Sequence, residues 1–363
     1  MFEMFSGSKV LVTGHTGFKG SWLSLWLNML CADVYGLSNK VPTHPSHIES
    51  ALPDMLHEES FIDISQTGNV INYIREINPD FIFHLAAQPL VRMAYENPLE
   101  TWSTNTLGTI SVLEYLRNSE DDCVAVFITS DKCYDNVEWT WGYRENDKIG
   151  GVDPYSASKG AAELAIRSYS ESYFRKDGRV RIGIGRAGNV IGGGDWAENR
   201  IVPDCMRSWS VDETVQIRQP QATRPWQHVL EPLSGYLCLA AELAVRPDLH
   251  GEPFNFGPPG DQSFSVANLI DEMSNYWEKV NWEDTSSDYD GPNEAGLLKL
   301  NCDKALHMLG WKAAWDFRQT VKETVEWYRT FYKDRPGSMA DFSKRQIMSY
   351  EQSARERGIR WAL

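Results

Sequence analysis

The segment Tyr155-Ser156-Ala157-Ser158-Lys159 places a phenol and an ammonium four residues apart, on one face if it is helical. Asp153-Pro154 just ahead is a helix-start signal. A phenol with a pKa of about 10 is mostly protonated at neutral pH and needs a nearby cation to act as a base. Lys159 and an oxidised nicotinamide ring would be such cations, which lets Tyr155 take a hydroxyl proton. Upstream, Ile128-Thr129-Ser130-Asp131-Lys132 ends an apolar run with hydroxyls, a carboxylate and an amine. Ser130 there would hydrogen-bond the hydroxyl being oxidised. Near the start, Thr13-Gly14-His15-Thr16-Gly17-Phe18-Lys19-Gly20 sets three glycines where a strand would turn into a helix. Such a turn meets a pyrophosphate. Together these segments imply a bound dinucleotide that takes a hydride while a tyrosinate takes a proton.

Each signal alone is weak. With 15 tyrosines, one Tyr-x-x-x-Lys spacing arises by chance, and a glycine-rich turn also serves tight packing. Context favours chemistry. Gly14 suits the turn conformation, Gly17 lets the backbone approach phosphate, and Gly20 lets helix and strand pack closely. One partner is missing: the end of the second strand reads Leu37-Ser38-Asn39-Lys40, with no acid for an adenosine ribose. Ser38 or Asn39 could bond a ribose hydroxyl, and Lys40 a 2′-phosphate, which leaves both NAD and NADP open. Asp63, in Phe61-Ile62-Asp63-Ile64, could accept from the adenine amino group.

The elements that must position these groups alternate. Strands are expected at Lys9–Thr13, Asp33–Leu37, Phe81–Leu85, Val124–Ile128 and Arg179–Ile184. Helices are expected at Ser21–Leu30, Val70–Ile77 and Leu99–Arg117, the first apolar almost all round and so packed on both sides. This predicts an α/β fold, a Rossmann-type doubly wound parallel sheet. After residue 190, Gly192-Gly193-Gly194 and several prolines break the pattern. Helices return at Leu230–Arg246 and Val266–Val280. We expect a NAD-binding domain over 1–190 with a returning segment near 225–257, an interleaved smaller C-terminal α/β substrate lobe over 191–335, and a peripheral tail over 336–363.

Bulk properties narrow the class. The chain has 363 residues and a formal net charge of −15, which argues against a nucleic-acid or anionic-membrane partner. No run approaches the roughly 18 apolar residues of a membrane span, and the N-terminus does not read as a secretory signal. The six cysteines are scattered without a Cys-x-x-Cys pair. Reduced thiols in a cytoplasmic protein, and no metal site, are the expectation.

Thr13-Gly14-x-x-Gly17-Phe18-x-Gly20, His84-Leu85-Ala86-Ala87, Asn105 and Tyr155-x-x-x-Lys159 together resemble the extended short-chain dehydrogenase/reductases, which act mostly on nucleotide sugars. Within that group, five further segments are similar to the CDP-glucose 4,6-dehydratases. They are Gly14 to Leu23, Ala86 to Arg92, Thr129 to Tyr134, Arg186 to Trp196 and Arg224 to Val229. The resemblance implies a tightly held, recycled NAD, a CDP-hexose substrate, and assembly through two helices of the Rossmann domain as a homodimer or tetramer. It also implies a role in deoxysugar biosynthesis of the kind that feeds lipopolysaccharide O-antigen. Asp131-Lys132 replaces the Asp-Glu of dehydratases acting on dTDP-glucose, and a plain epimerase needs no acid and base there. In this reading Tyr155 serves oxidation at C4, Lys132 removes the C5 proton and Asp131 protonates the departing C6 hydroxyl. Lys132 must then be neutral and Asp131 protonated, which requires burial.

Carried over from the resemblance, Gly14 to Gly20, Ser38, Asp63, Ile64, Leu85, Ala86, Ala87, Asn105, Tyr155, Lys159 and Arg186 would face the cofactor. Gln88, Arg92, Asn189, Arg200, Val202, Arg218, Arg224, His228 and Glu294 would face the substrate, with Asn199–Pro203 covering the cytosine. Arg200, Arg218 and Arg224 are guanidinium forks suited to a pyrophosphate in an otherwise acidic chain. His228 reads as a structural histidine with a binding role at most. The rival expectations are a dehydratase or epimerase of a GDP- or UDP-hexose, and a catalytically silent dinucleotide-binding relative.

Overall fold

The computed structural model of the chain describes residues 1–52, 55–175, 178–288, 296–334 and 337–363. The first half alternates as its apolar pattern predicts. β1 (Lys9–Thr13), α1 (Phe18–Met29), β2 (Asp33–Ser38), α2 (His47–Ala51), β3 (Glu58–Phe61), α3 (Thr67–Ile77) and β4 (Phe81–His84) come first. There follow α4 (Val91–Glu96), α5 (Pro98–Trp102), a π-helical turn (Ser103–Leu107), α6 (Gly108–Arg117), β5 (Cys123–Ile128), α7 (Pro154–Ser172) and β6 (Val180–Ala187). The second half is more broken. It holds β7 (Val190–Ile191), α8 (Ile201–Ser210), β8 (Val215–Ile217), β9 (Thr223–Arg224), β10 (Gln227–His228), α9 (Leu230–Val245) and β11 (Pro253–Phe256). Then come β12 (Phe264–Ser265), α10 (Val266–Met273), β13 (Trp282–Asp284), α11 (Asp303–Leu309), α12 (Phe317–Arg329) and α13 (Ala340–Glu356).

Seven strands form one sheet in the order β3-β2-β1-β4-β5-β6-β11, every neighbouring pair parallel. Thr13 is level with Leu37 on one side and His84 on the other. Strand order turns back between β1 and β4, which opens a crevice at the carboxyl ends. All six residues of β5 are buried, as a central strand covered on both faces requires. One face packs α3 and α6 against Leu11, Ile82, Ala125 and Ile182. The other packs α1, α9, α12 and α13 against Val10, Phe83 and Val126 in a larger cluster.

Two expectations are corrected. The helix from Val266 stops at Met273, and the Ser274 hydroxyl there donates to the Asp271 carbonyl. The tail is not peripheral. α13 packs on α1 and α2, Tyr350 is fully buried, and Trp361 stacks on Phe2 at 5.2 Å. Its polar composition hid this, because the apolar residues form one helical stripe.

Glu231 of α9 anchors this C-terminal part. Its carboxylate accepts from the backbone N–H of Ala314 and Trp315 and from the Tyr350 hydroxyl. Burial pushes its pKa up to about 7, against those donors. A folded-state pKa above the unfolded one contributes stability that is full below the unfolded pKa and lost as pH rises through about 7. We expect urea stability to decline by an amount on the order of 3 kcal/mol from this group as pH rises from the ordinary glutamate range to about 7, and to level off above it. Glu231→Gln should flatten that decline; an unchanged pH profile would refute the assignment.

Candidate active site

The glycine turn lies at the crevice. Gly14 has φ of +74°, and a Cβ there would stand 2.8 Å from the Ala86 amide nitrogen. A Cβ on Gly20 would collide with the Gly14 carbonyl oxygen. Helix α1 starts at Gly17 with no side-chain cap, so its first-turn N–H groups face the mouth of the crevice. A bare helix N-terminus over a turn too tight for side chains fits the diphosphate of a dinucleotide. Leu85, Ala86 and Ala87 follow β4 across the crevice, and the Thr13 hydroxyl accepts from the Ala86 N–H.

Beside the turn, His15 is fully buried. Its ring nitrogens meet the Ser38 hydroxyl at 3.0 Å and the Glu59 carboxylate at 2.8 Å. Burial lowers its pKa. Ser38 also accepts from the Thr16 N–H, so it braces the turn. Asn39 and Lys40 are the exposed groups of that strand end. Asp63 accepts from the N–H and hydroxyl of Ser65, and buried Ile64 lies against Gly108.

Asp153 caps α7 through the Ser156 N–H and Pro154 opens its first turn, which sets Tyr155 at the base of the crevice. Ser130, at the end of β5, acts on the Tyr155 phenol and donates to Asp131 Oδ1 at 2.9 Å. The Ser130 hydroxyl also caps the turn over Asp131–Cys133 by accepting from the Lys132 N–H. Burial pushes the Tyr155 pKa up to about 12, against the Ser130 hydroxyl. Lys159, expected as a cation near it, is itself buried and lowered to about 8, with Nζ 3.4 Å from the Ile128 carbonyl. Burial likewise raises Asp131, against the nearby charges of Lys132, Lys19 and Arg224. That is the direction a proton donor requires. Lys132 is half-buried beside it.

Several expected ligands serve as supports. Arg186 is committed to a buried ion pair with Glu163 at 2.8 Å and to the Tyr134 hydroxyl at 2.7 Å. Burial works against its charge and the Glu163 carboxylate outweighs that. Thr129 also donates to Glu163, which stands one turn after Lys159. Asn105, in the π-helical turn, bonds Gln88 and the Ser158 hydroxyl, and so ties the loop after β4 to α7. The Gln88 side chain is used by Leu90 and Thr101. His228 sits in the core at the rings of Trp22 and Trp315, and burial lowers its pKa to about 3. The Val202 side chain is in the core as well.

Other substrate candidates do converge. Arg200 pairs with Asp195 at 2.8 Å and acts electrostatically on Tyr155 and Lys19. Arg224 donates to the Thr223 carbonyl and acts on Asp131. Half-buried Asn189 follows β6, and its carbonyl accepts from the Gln227 N–H. Arg92 reaches Asn199 at 3.4 Å. Arg218 instead acts on Asp204 of α8. Glu294 lies outside the described residues.

Sequence reasoning missed Glu163 and Gly188. Glu163 could have been found as the carboxylate one helical turn beyond Lys159. Gly188 has no local signal, yet a Cβ there would collide with the Asp131 carboxyl. We expect Gly188→Ala to displace that carboxyl and slow water loss about 100-fold, with C4 oxidation largely kept. Quench-flow analysis of the sugar products measures both steps.

A family model described as GDP-mannose 4,6 dehydratase matches residues 11–324. The chain is 45% identical over 355 residues to CDP-glucose 4,6-dehydratase of Salmonella typhimurium, covering 96% of this chain and 97% of that one. An epimerase structure from Methanothermobacter thermautotrophicus is similar with a TM-score of 0.77 at 24% identity, over 92% of this chain and 95% of that one. UDP-glucose 4-epimerase of Thermus thermophilus, solved with NAD, has a TM-score of 0.74 at 22% identity, over 88% and 99%.

Proposed function

The chain belongs to the GDP-mannose 4,6-dehydratase family, and from that premise we propose that it converts CDP-glucose to CDP-4-keto-6-deoxyglucose with NAD as a recycled cofactor. The observation that carries this reading is the buried Asp131 with Lys132 beside the Tyr155–Ser130 pair, at the crevice where strand order reverses. An epimerase uses only the oxidising pair. The 45% identical relative, named for CDP-glucose, supports the choice of nucleotide.

The turn at Gly14–Gly20 and the α1 N-terminus would hold the NAD diphosphate. When bound, NAD supplies reversible hydride storage, taking hydrogen from C4 and returning it at C6. Tyr155 takes the C4 hydroxyl proton while Ser130 holds that oxygen. The new ketone acidifies C5–H. Lys132 Nζ takes the C5 proton, the C5–H electrons form the C5=C6 bond, and the C6–O bond breaks as Asp131 gives its proton to the leaving oxygen. Water departs, and Lys132 returns its proton to C5. Arg200 and Arg224 would hold the substrate diphosphate. The test is a panel of nucleotide hexoses incubated with NAD, then read in alkali for the near-ultraviolet absorbance of a 4-keto sugar. CDP-glucose alone should turn over. Turnover of a GDP- or UDP-hexose, or binding of NAD without any turnover, would overturn the reading.

Among the described residues no helix is long and apolar enough to cross a membrane, and all six cysteines are unpaired. Free thiols support a reducing compartment, and we place the protein in the cytoplasm. We also propose a homodimer. Leu99 is 79% exposed, Leu107 52% and Leu164 59%, on α5, the π-helical turn and α7, which pack together. A contiguous apolar face of this kind suits self-association. Leu99→Glu with Leu164→Glu should halve the mass seen by light scattering; an unchanged mass would exclude this face.

A further inference from the structure

The Glu163–Arg186 pair forms a bidentate fork: Arg186 Nε and Nη2 each donate to one carboxylate oxygen at 2.8 Å, and neither side chain is more than 4% exposed. A buried ion pair is by itself weak ground for stability, so what this one touches matters more than its charges. Glu163 Oε1 also accepts from the Thr129 hydroxyl at 2.5 Å. Arg186 Nη1 donates to the Tyr134 hydroxyl at 2.7 Å. Thr129 and Tyr134 stand on either side of Ser130–Cys133, the segment that carries Ser130, Asp131 and Lys132. One ion pair thus holds both ends of the reactive turn.

We propose that Glu163 and Arg186 are positioning residues for the dehydration step: through Thr129 and Tyr134 they clamp the turn that presents Asp131 and Lys132 to the sugar. The consequence for dehydration rests on the dehydratase reading; the clamp itself does not. A three-residue 3₁₀ turn has poor hydrogen-bond geometry of its own, so the groups at its ends decide how firmly it stands. The Tyr134 end is held from several sides. Its ring lies 4.9 Å from the Arg186 guanidinium and stacks on Tyr143 at 5.1 Å. Its hydroxyl donates to Asn255 Oδ1 of β11 at 2.8 Å, and the Asn255 amide donates to the Tyr143 and Asn301 carbonyls. Arg186 also sets the opposite wall. Gly188, two residues further along, is where the Asp131 carboxyl leaves no room for a Cβ. The clamp therefore fixes that carboxyl relative to both β5 and β6.

Cys133 supplies a readout that needs neither cofactor nor substrate. Its thiol is fully buried within the turn, packed with Tyr134, Tyr143, Leu298 and Leu300. Alkylation by N-ethylmaleimide, followed peptide by peptide with mass spectrometry, measures how often the turn opens. Tyr134→Phe and Thr129→Val each remove one hydroxyl from the clamp and keep the ion pair. Each should speed labelling of Cys133 about tenfold or more. Cys205 and Cys238, buried in α8 and α9, should keep their wild-type rates. Thr129→Ser should restore the slow labelling of Cys133. The second measurement is single-turnover product analysis at saturating NAD and CDP-glucose. Tyr134→Phe should slow C6–O cleavage about tenfold or more, because a displaced acid and base lose their alignment with the sugar. C4 oxidation and both KM values should stay nearly unchanged. Unaltered Cys133 labelling overturns the proposal. So does equal acceleration at Cys133, Cys205 and Cys238, which would mean a general loosening of the fold. A defect confined to KM overturns it as well. A wild type inert to CDP-glucose would instead refute the substrate reading and leave the thiol result to decide the clamp.

Discussion

Tyr155→Phe is expected to lower turnover by about 1,000-fold or more, the upper range for loss of a positioned general base. The phenyl ring keeps the packing of a residue that is 7% exposed. The hydroxyl it loses leaves no orphan behind, because Ser130 still donates to Asp131 and accepts from the Lys132 N–H. Folding stability should therefore change by less than about 1 kcal/mol, and NAD binding should persist. In the wild type the phenol is held at about 12, so it is protonated at neutral pH and the C4 step should climb as pH rises. The residual rate of the variant should be flat with pH. Equilibrium dialysis against NAD and single-turnover product analysis separate binding from chemistry. A variant that turned over at a tenth of the wild-type rate would remove Tyr155 from the role of base.

The second large effect is expected from Lys132→Ala. C4 oxidation should proceed at close to the wild-type rate, while water loss falls by about 100-fold to 10,000-fold. The separation follows from position. Ser130 acts on the phenol, whereas Lys132 lies on the next turn beside Asp131 and acts on that carboxyl. Quenching with borodeuteride should trap a hexose labelled at C4 that keeps its C6 oxygen, and C5–H should not exchange with deuterated solvent. Dehydration at the wild-type rate would show that another group takes the C5 proton.

The parallel sheet, its glycine turn and the start of the catalytic helix were legible because each is a local signal. Apolar runs mark β1, β4 and β5, three glycines mark one bend, and Asp153-Pro154 marks the α7 start. The irregular half was less legible. Its pieces pair over long distances, as β8 does with β13 and β9 with β12. The α10 boundary failed where apolar periodicity ran on past the turn at Ser274.

The roles of polar residues divide along the same line. Tyr155, Ser130 and Asp131 were singled out because spacing puts chemistry-bearing types at element ends. Arg186, Asn105, Gln88 and Ser38 were expected to face ligands, yet a residue type does not say which neighbour will satisfy it. Glu163 takes Arg186, and Trp22 and Trp315 enclose His228, through contacts made between distant parts of the chain. The burial of the Tyr155 phenol was not legible for the same reason: desolvation depends on everything that packs around it. The order of residues thus determined the elements, the turn and the reactive groups. Only the tertiary structure decided which of those groups are free to react and how each holds its proton, because burial and pairing are set by neighbours remote in sequence.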